Sequence, residues 1–336
     1  MTAPRLTMIL ACPHGWRDLI MVLPGLQSQT IASEIELLLP ALAGTFPDDI
    51  DDRIAGLHSV RVIETANIYP RGQAVAGAVS EATAPFIGLH ENHAFLAPAT
   101  CEIILNAMTE KTGCLTPVNY CANPESLWSV ATTVVAHGHA AAPVDGVSTA
   151  QLTLHQGIYP AEVLKPRADM LENETALHRA LFDEGFEMRI QPETVLWHVE
   201  SVVPSMAISV AHMIGQLYGA SRGKSMGTGE KILRALAFPA IAAITMRRYL
   251  AMIMGKSDLE LIRWKVVPHV ACSSAAFAFG EVRGYFNTGY AIPHWFDVHE
   301  YDLVDRMGKG PHRNRTMIEM STRLDEPLPA PIAPKA

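Results

Sequence analysis

The hydrophobic pattern divides the chain into a first part of short alternating elements and a later part of long helical ones. Runs at residues 6–12, 34–39, 59–64 and 85–90 have strand length and end at Pro, Gly or polar residues. Between them, residues 16–28 (with Leu19, Ile20, Leu23 and Leu26) and the small-residue stretch 72–83 carry helical spacing. Strand-length runs alternating with helix-period segments predict an α/β unit with a largely parallel sheet. The second strand is expected to stop at Pro40, where a ladder N–H is missing. Further on, the pattern predicts helices at 100–109, 124–137 and 169–184, the last stopped by Gly185. It also predicts a strand around 114–119 and a strand pair at 187–191 and 194–198. From Val202 to about residue 288 it is helical with basic residues interspersed. The end is polar and Pro-rich, closing on EPLPAPIAPKA, and reads as a tail. The expected organisation is a domain over 1–200, a basic amphipathic helical region over 201–290 and a tail over 291–336.

Composition supports a folded chain: 49% of the 336 residues are hydrophobic and 18% charged, enough apolar material for a buried core. The net charge of −8 argues against a nucleic-acid partner, whose binder is normally basic. That charge is uneven. Residues 1–199 carry net −12, residues 200–290 carry net +5 and the remainder net −1. Five cysteines (Cys12, Cys101, Cys114, Cys121 and Cys272) form no CxxC pair, so they read as reduced thiols of a cytoplasmic protein. The first apolar run is read as a strand and not a signal peptide. No stretch reaches 18 uninterrupted apolar residues, so a spanning helix is not expected.

Several motifs invite chemistry. Gly223-Lys224-Ser225 lacks the glycine a phosphate loop needs at 218, which is Tyr; it reads as a basic turn. His137-Gly138-His139 has no third ligand nearby in sequence and reads as a loop after a helix. Glu91-Asn92-His93 is different, because it follows a predicted strand directly. In open α/β sheets ligands bind at the carboxyl ends of strands, and a carboxylate with an imidazole there suits a borderline divalent cation such as Mn2+ better than Mg2+. A solvated turn whose His caps a helix is the competing reading. Glu172 and Glu174 sit near a helix start, where the dipole alone explains carboxylates; a general base for a hydroxyl is the functional alternative.

These residues carry a resemblance. The chain resembles family-2-type glycosyltransferases of the GT-A fold over roughly residues 5–200, and more loosely to 290. The likeness rests on Gln27-Ser28-Gln29, on the stretch from Arg71 through Gln73 to the Glu91-Asn92-His93 triplet, and on the run from Glu172 or Glu174 to His198. It is similar to a branch in which the usual acidic triplet is Glu-Asp-His and an Asn-Pro-x-Ser segment follows, here Asn123-Pro124-Glu125-Ser126. His155-Gln156 stands where that branch has a His-Asn pair near the acceptor.

The resemblance implies a Rossmann-like mixed sheet followed by a helical C-terminal region. It implies an inverting transfer of a sugar from a nucleoside-diphosphate donor to a hydroxyl, the acceptor being lipid-linked, an envelope component or a small molecule. Arg71, Gln73, His155, Gln156 and Asn123 would bind donor or acceptor. Glu91, His93 and His198 would hold Mn2+ or Mg2+, and Glu172, or else Glu174, would be the base. Asn92 and Asn173 stand where acidic residues are implied, so a degenerate relative acting as a binding or scaffold protein is a competing expectation. A metal-dependent hydrolase using the same Glu/His cluster is another. The basic helices suit an anionic membrane surface, which implies a cytoplasmic protein peripheral on the inner face of the plasma membrane; plain helix packing is the alternative. Gly280-Glu-Val-Arg-Gly284-Tyr285 reads as a helix-packing motif.

Overall fold

The computed structural model describes residues 3–141, 144, 156–254 and 263–307. In chain order the elements are β1 (Leu6–Leu10), α1 (Trp16–Gln27), β2 (Ile35–Leu42), α2 (Ile50–Arg53), β3 (Ser59–Thr65), α3 (Arg71–Glu81), β4 (Phe86–His90), β5 (Ala94–Leu96), α4 (Thr100–Asn106), β6 (Thr112–Cys121), α5 (Leu127–His137), β7 (Ile158–Pro160), α6 (Ala161–Leu164), α7 (Glu174–Asp183), β8 (Glu187–His198), α8 (Pro204–Gly223), α9 (Thr228–Leu236), α10 (Phe238–Met254), α11 (Arg263–Phe286) and α12 (His294–Met307). Among the described residues they form two compact units: 3–120 with 144, 156–198 and 297–307, and 121–141 with 199–296.

The first unit is built on an eight-stranded sheet of order β3-β2-β1-β4-β7-β6-β8-β5. β1 pairs in parallel with β2 and β4, and β2 with β3, whereas β7 is antiparallel to β4 and to β6. Every residue of β1 is buried, as expected of a central parallel strand covered on both faces. This is the Rossmann-like mixed sheet, followed by a helical region, that the GT-A resemblance implies.

Two expectations about proline are corrected. β2 runs through Pro40, which pairs with Ile63 of β3. Its carbonyl accepts from Cys12 N–H at 2.8 Å, so its nitrogen faces the β1 side just past the last β1–β2 pair, Ile9↔Leu38. The missing N–H therefore falls where the β1–β2 ladder ends and leaves the β2–β3 ladder intact. Likewise β8 is one twelve-residue strand and not a pair; Pro192 lies at an exposed point of it, where Thr194 Oγ1 donates to Gln191 O (2.6 Å). Residues 294–307, placed in the tail by their polarity, form α12, whose Tyr301 is buried with Ala11, Ile68 and Ala74.

Glu36 on β2 is buried yet fully engaged. It accepts from Thr7 Oγ1 (2.5 Å), Arg61 Nη2 (2.9 Å) and Thr83 N–H (2.9 Å). Burial pushes its carboxyl upward, but these three donors outweigh that and hold it below 4.5. A group with a depressed folded pKa contributes stability that is present above its unfolded pKa and lost as the pH falls through the folded value. We expect the urea midpoint to drop as the pH is lowered below 4.5, and Glu36→Gln to flatten that fall; the same slope in the variant would refute the assignment.

The second unit is helical. α5 packs Val130, Ala131 and Val134 against Ile253, Val266 and Val270, and its start is capped by Ser126 Oγ accepting from Ser129 N–H (3.3 Å). α8 and α11 approach through glycine. A Cβ on Gly215 or Gly219 would lie 2.0 Å from the carbonyl oxygens of Phe277 or Glu281, and one on Gly280 would lie 2.0 Å from that of His212. The Gly280–Gly284 motif is thus a helix-packing motif, matched by a Gly215–Gly219–Gly223 ridge on α8. No single described helix is long and apolar enough to cross a membrane.

Candidate active site

β4 ends at His90, in register with Leu10 of β1, beside the point where the strand order reverses. Glu91, Asn92 and His93 form the turn from β4 into β5. β5 then pairs antiparallel with β8, setting Ala94 opposite His198. That pairing carries His198 to the triplet. The His93 and His198 rings meet edge to face with centroids 4.6 Å apart, and the ligating atoms of Glu91, His93 and His198 all lie within 4.8 Å of one another.

Asn92 does not point at this cluster. It is buried, and its Nδ2 donates to Asp18 Oδ1 (2.9 Å) and to the Tyr301 carbonyl (3.3 Å). Both partners only accept, so the Oδ1 of Asn92 must be the atom 2.9 Å from His93 Nδ1. That nitrogen therefore carries a proton. His93 Nε2 stands 3.6 Å from Glu91 Oε2. The chain Asp18–Asn92–His93 fixes the orientation of that imidazole, as an outer shell does for a metal-ligating histidine. Asn92 in place of an acid is accordingly an orienting group, and the nearby carboxylate is Asp18, which also accepts from His14 N–H (2.7 Å).

Glu91 is the hub. Its Oε1 accepts from Arg71 Nη1 (2.7 Å); its Oε2 accepts from Gln156 Nε2 (2.7 Å) and meets His198 Nε2 at 3.1 Å. Burial alone would raise its carboxyl. The His198 hydrogen bond and the charges of Arg71 and His93 outweigh that and hold it well below the usual carboxylate range. His90, buried at the strand end, is pushed down to about 4 by desolvation and is neutral at neutral pH. Gln156 adopts φ +58, a left-handed conformation that costs a non-glycine residue on the order of 1 kcal/mol. Its Oε1 is buried without a hydrogen-bond partner among the described residues. Strain combined with an unspent buried acceptor is the pattern of a binding position.

A cleft opens beside Glu91, lined by Arg71, Gly72, His90, Gln156 and Glu174. α3 sits directly on the 3-10 helix Lys165–Asn173 because residue 72 has no side chain: a Cβ there would lie 2.6 Å from Glu172 Cα. This contact carries Arg71 and Glu174 to the same cleft. Asn173 is the N-cap of α7, its Oδ1 accepting from Ala176 N–H (3.1 Å), and Glu174 begins the helix. Glu172 and Gln73 are exposed, and neither lines the cleft. Asn123 belongs to the second unit, buried and spent on Ser129 Oγ (2.9 Å) and on the Glu200 carbonyl and N–H (2.8 and 3.0 Å). His155 lies outside the described residues.

Sequence reasoning missed Asp18 and the α12 residues Glu300 and Tyr301. Glu300 Oε2 stands 3.9 Å from His93 Nε2. An acid in the first turn of a helix signals only a dipole, and α12 was read by polarity alone. As a donor set, one carboxylate and two imidazoles with ligating atoms within 4.8 Å of one another fit a borderline divalent cation.

The sequence matches no family model and no curated protein. Solved structures similar to the chain include GalNAc-T7 with UDP, GalNAc and Mn2+, at 11% identity and TM-score 0.42, over 58% of this chain and 43% of that one. This chain thus spans less than half the length of that protein. They also include S. aureus TarS 1–349 in complex with UDP, at 12% identity and TM-score 0.43, over 85% of this chain and 92% of that one. S. aureus TarS is similar at 11% identity and TM-score 0.42, over 83% of this chain and 55% of that one.

Proposed function

We propose that the protein is an inverting glycosyltransferase, moving a sugar from a nucleoside-diphosphate donor to a hydroxyl acceptor at the cleft of the first unit. The observation that carries this reading is that Glu91, clustered with His93 and His198 in a group that could hold a cation, lines the same cleft as Arg71 and Glu174. Transfer passes through an oxocarbenium-like state while the departing diphosphate gains negative charge. A divalent ion held by Glu91, His93 and His198 would offset that charge as a Lewis acid. Arg71, half-buried on Glu91, adds a fixed positive charge to the same wall. Asn92 and Asp18 keep His93 aimed, and Gln156 keeps the Glu91 carboxylate turned toward the imidazoles.

Glu174 is the better-supported base, because it shares the cleft while Glu172 is exposed. Glu174 taking the acceptor proton, while the other cleft carboxylate, Glu91, is engaged by Arg71, Gln156 and His198, fits inversion. We expect Glu174→Gln to slow donor turnover by about 10²–10⁴-fold with nucleotide affinity retained, and Glu172→Gln to remain close to wild type. The reverse pattern would move the base to Glu172. Calorimetry with a panel of nucleoside diphosphates, with and without Mn2+, tests the donor class, and an absence of nucleotide binding would overturn the reading. A metal-dependent hydrolase is the second reading, favoured by the third ligand that His198 supplies; it predicts no nucleotide preference.

A further inference from the structure

α9 is amphipathic with its faces reversed. Along Thr228–Leu236, Ile232, Leu233 and Leu236 fall on one side of the helix and Glu230, Lys231 and Arg234 on the other. In a helix that packs its apolar side inward the first set would be buried. Here Leu233 is 68% and Leu236 77% exposed. Lys231 and Arg234 are half-buried instead, Arg234 bonding Glu230 (3.0 Å) and lying against Tyr285 of α11. α10 continues the theme. It buries Ile253, while its exposed stripe, spaced at three and four residues, reads Ala240, Ile244, Arg247, Arg248, Ala251 and Met254.

We propose that this outward face of α9 and α10 docks on an anionic lipid bilayer at headgroup depth. Charge complementarity selects the occupant. α10 contains no acidic residue, and Glu230, the acid of α9, is paired with Arg234. The exposed Arg247 and Arg248 are left to meet lipid phosphates. Basic residues interleaved with exposed apolar ones on a helix face are the composition of an interfacial anchor. Depth follows from the arginines. The two helices are bent by 67°, and Arg247 and Arg248 sit in the middle of the outward stripe, where full burial in hydrocarbon is costly and headgroup contact is favourable. A second copy of the same face is disfavoured, because a two-fold contact would set arginines against arginines. The proposal is independent of the sugar-transfer reading.

Vesicle flotation of the full chain tests it, with phosphatidylcholine vesicles compared with vesicles also containing phosphatidylglycerol. The folded protein is expected to float with the anionic vesicles and to be released by added salt. Arg247→Ser with Arg248→Ser should weaken partition by roughly fivefold per residue, and Leu233→Asp with Leu236→Asp should abolish it. All four side chains are exposed, so an unchanged thermal midpoint is expected in both variants; if the leucine variant does not fold, the arginine variant decides alone. No flotation of the wild type with anionic vesicles would overturn the proposal, as would undiminished flotation of the variants. Concentration-dependent dimerisation lost in Leu233→Asp/Leu236→Asp, without vesicle binding, would assign the face to a second copy and overturn it equally.

Discussion

Glu91→Ala is expected to cost the first unit about 3–5 kcal/mol and to abolish its response to Mn2+. The cause is what the change leaves behind. Arg71, with 21% of its side chain exposed, loses the carboxylate that holds it at 2.7 Å. Gln156 Nε2 and His198 Nε2 lose the same acceptor. Breaking one partner out of a buried ion pair strands the other charge away from water, which costs far more than the intact pair contributes. Natural domains have only about 5–15 kcal/mol in hand, so the melting temperature should fall sharply. Glu91→Gln keeps the shape and one acceptor oxygen, so it should lose less stability yet still lose the cation. Thermal unfolding with and without MnCl2 reads both effects: the wild type should be raised by Mn2+ and neither variant should respond. A variant with the wild-type shift would show that Glu91 is not a ligand.

Gly219→Val is expected to disrupt the second unit. A Cβ at 219 would lie 2.0 Å from Glu281 O, a backbone atom that no rotamer change can move. Overpacking of a side-chain core costs roughly 1–3 kcal/mol. Here α11 itself must retreat, pulling Glu281 away from Arg222 of α8 and breaking their ion pair (3.1 Å), so the loss should exceed that range. Gly77→Ala is the control. It lies within α3 with nothing within 4 Å of the added methyl, and should stabilise by up to about 1 kcal/mol through helix propensity. Urea unfolding followed by circular dichroism separates the two. A Gly219→Val protein as stable as the wild type would mean the helices do not pack through these glycines.

Much of the first unit was legible because parallel strands buried on both faces and their covering helices have distinct periods. β1, β3, α3 and β4 lie within a residue or two of their expected bounds. The triplet was legible for the same reason: polar residues right after an apolar strand mark its carboxyl end. The two proline errors share a cause. A proline forbids one N–H, and whether that N–H was needed depends on which neighbour the strand has at that residue, a property of the ladder and not of the strand. Asp18 and Tyr301 were illegible because they reach Asn92 across 74 and 209 positions, contacts set by which strands and helices become neighbours.

The division of labour is therefore physical. Sequence alone determined the local periods, the α/β class, the helical later part with its positive charge, and the chemistry available at one strand end. Those depend on side chains close along the chain. Tertiary structure decided that β5 pairs with β8 and so delivers His198, that Asn92 orients His93 by way of Asp18, and that Glu174 shares the cleft while Glu172 does not. It also decided which side of α9 faces outward: an amphipathic pattern states that two faces differ, and only the surrounding packing chooses the one left exposed.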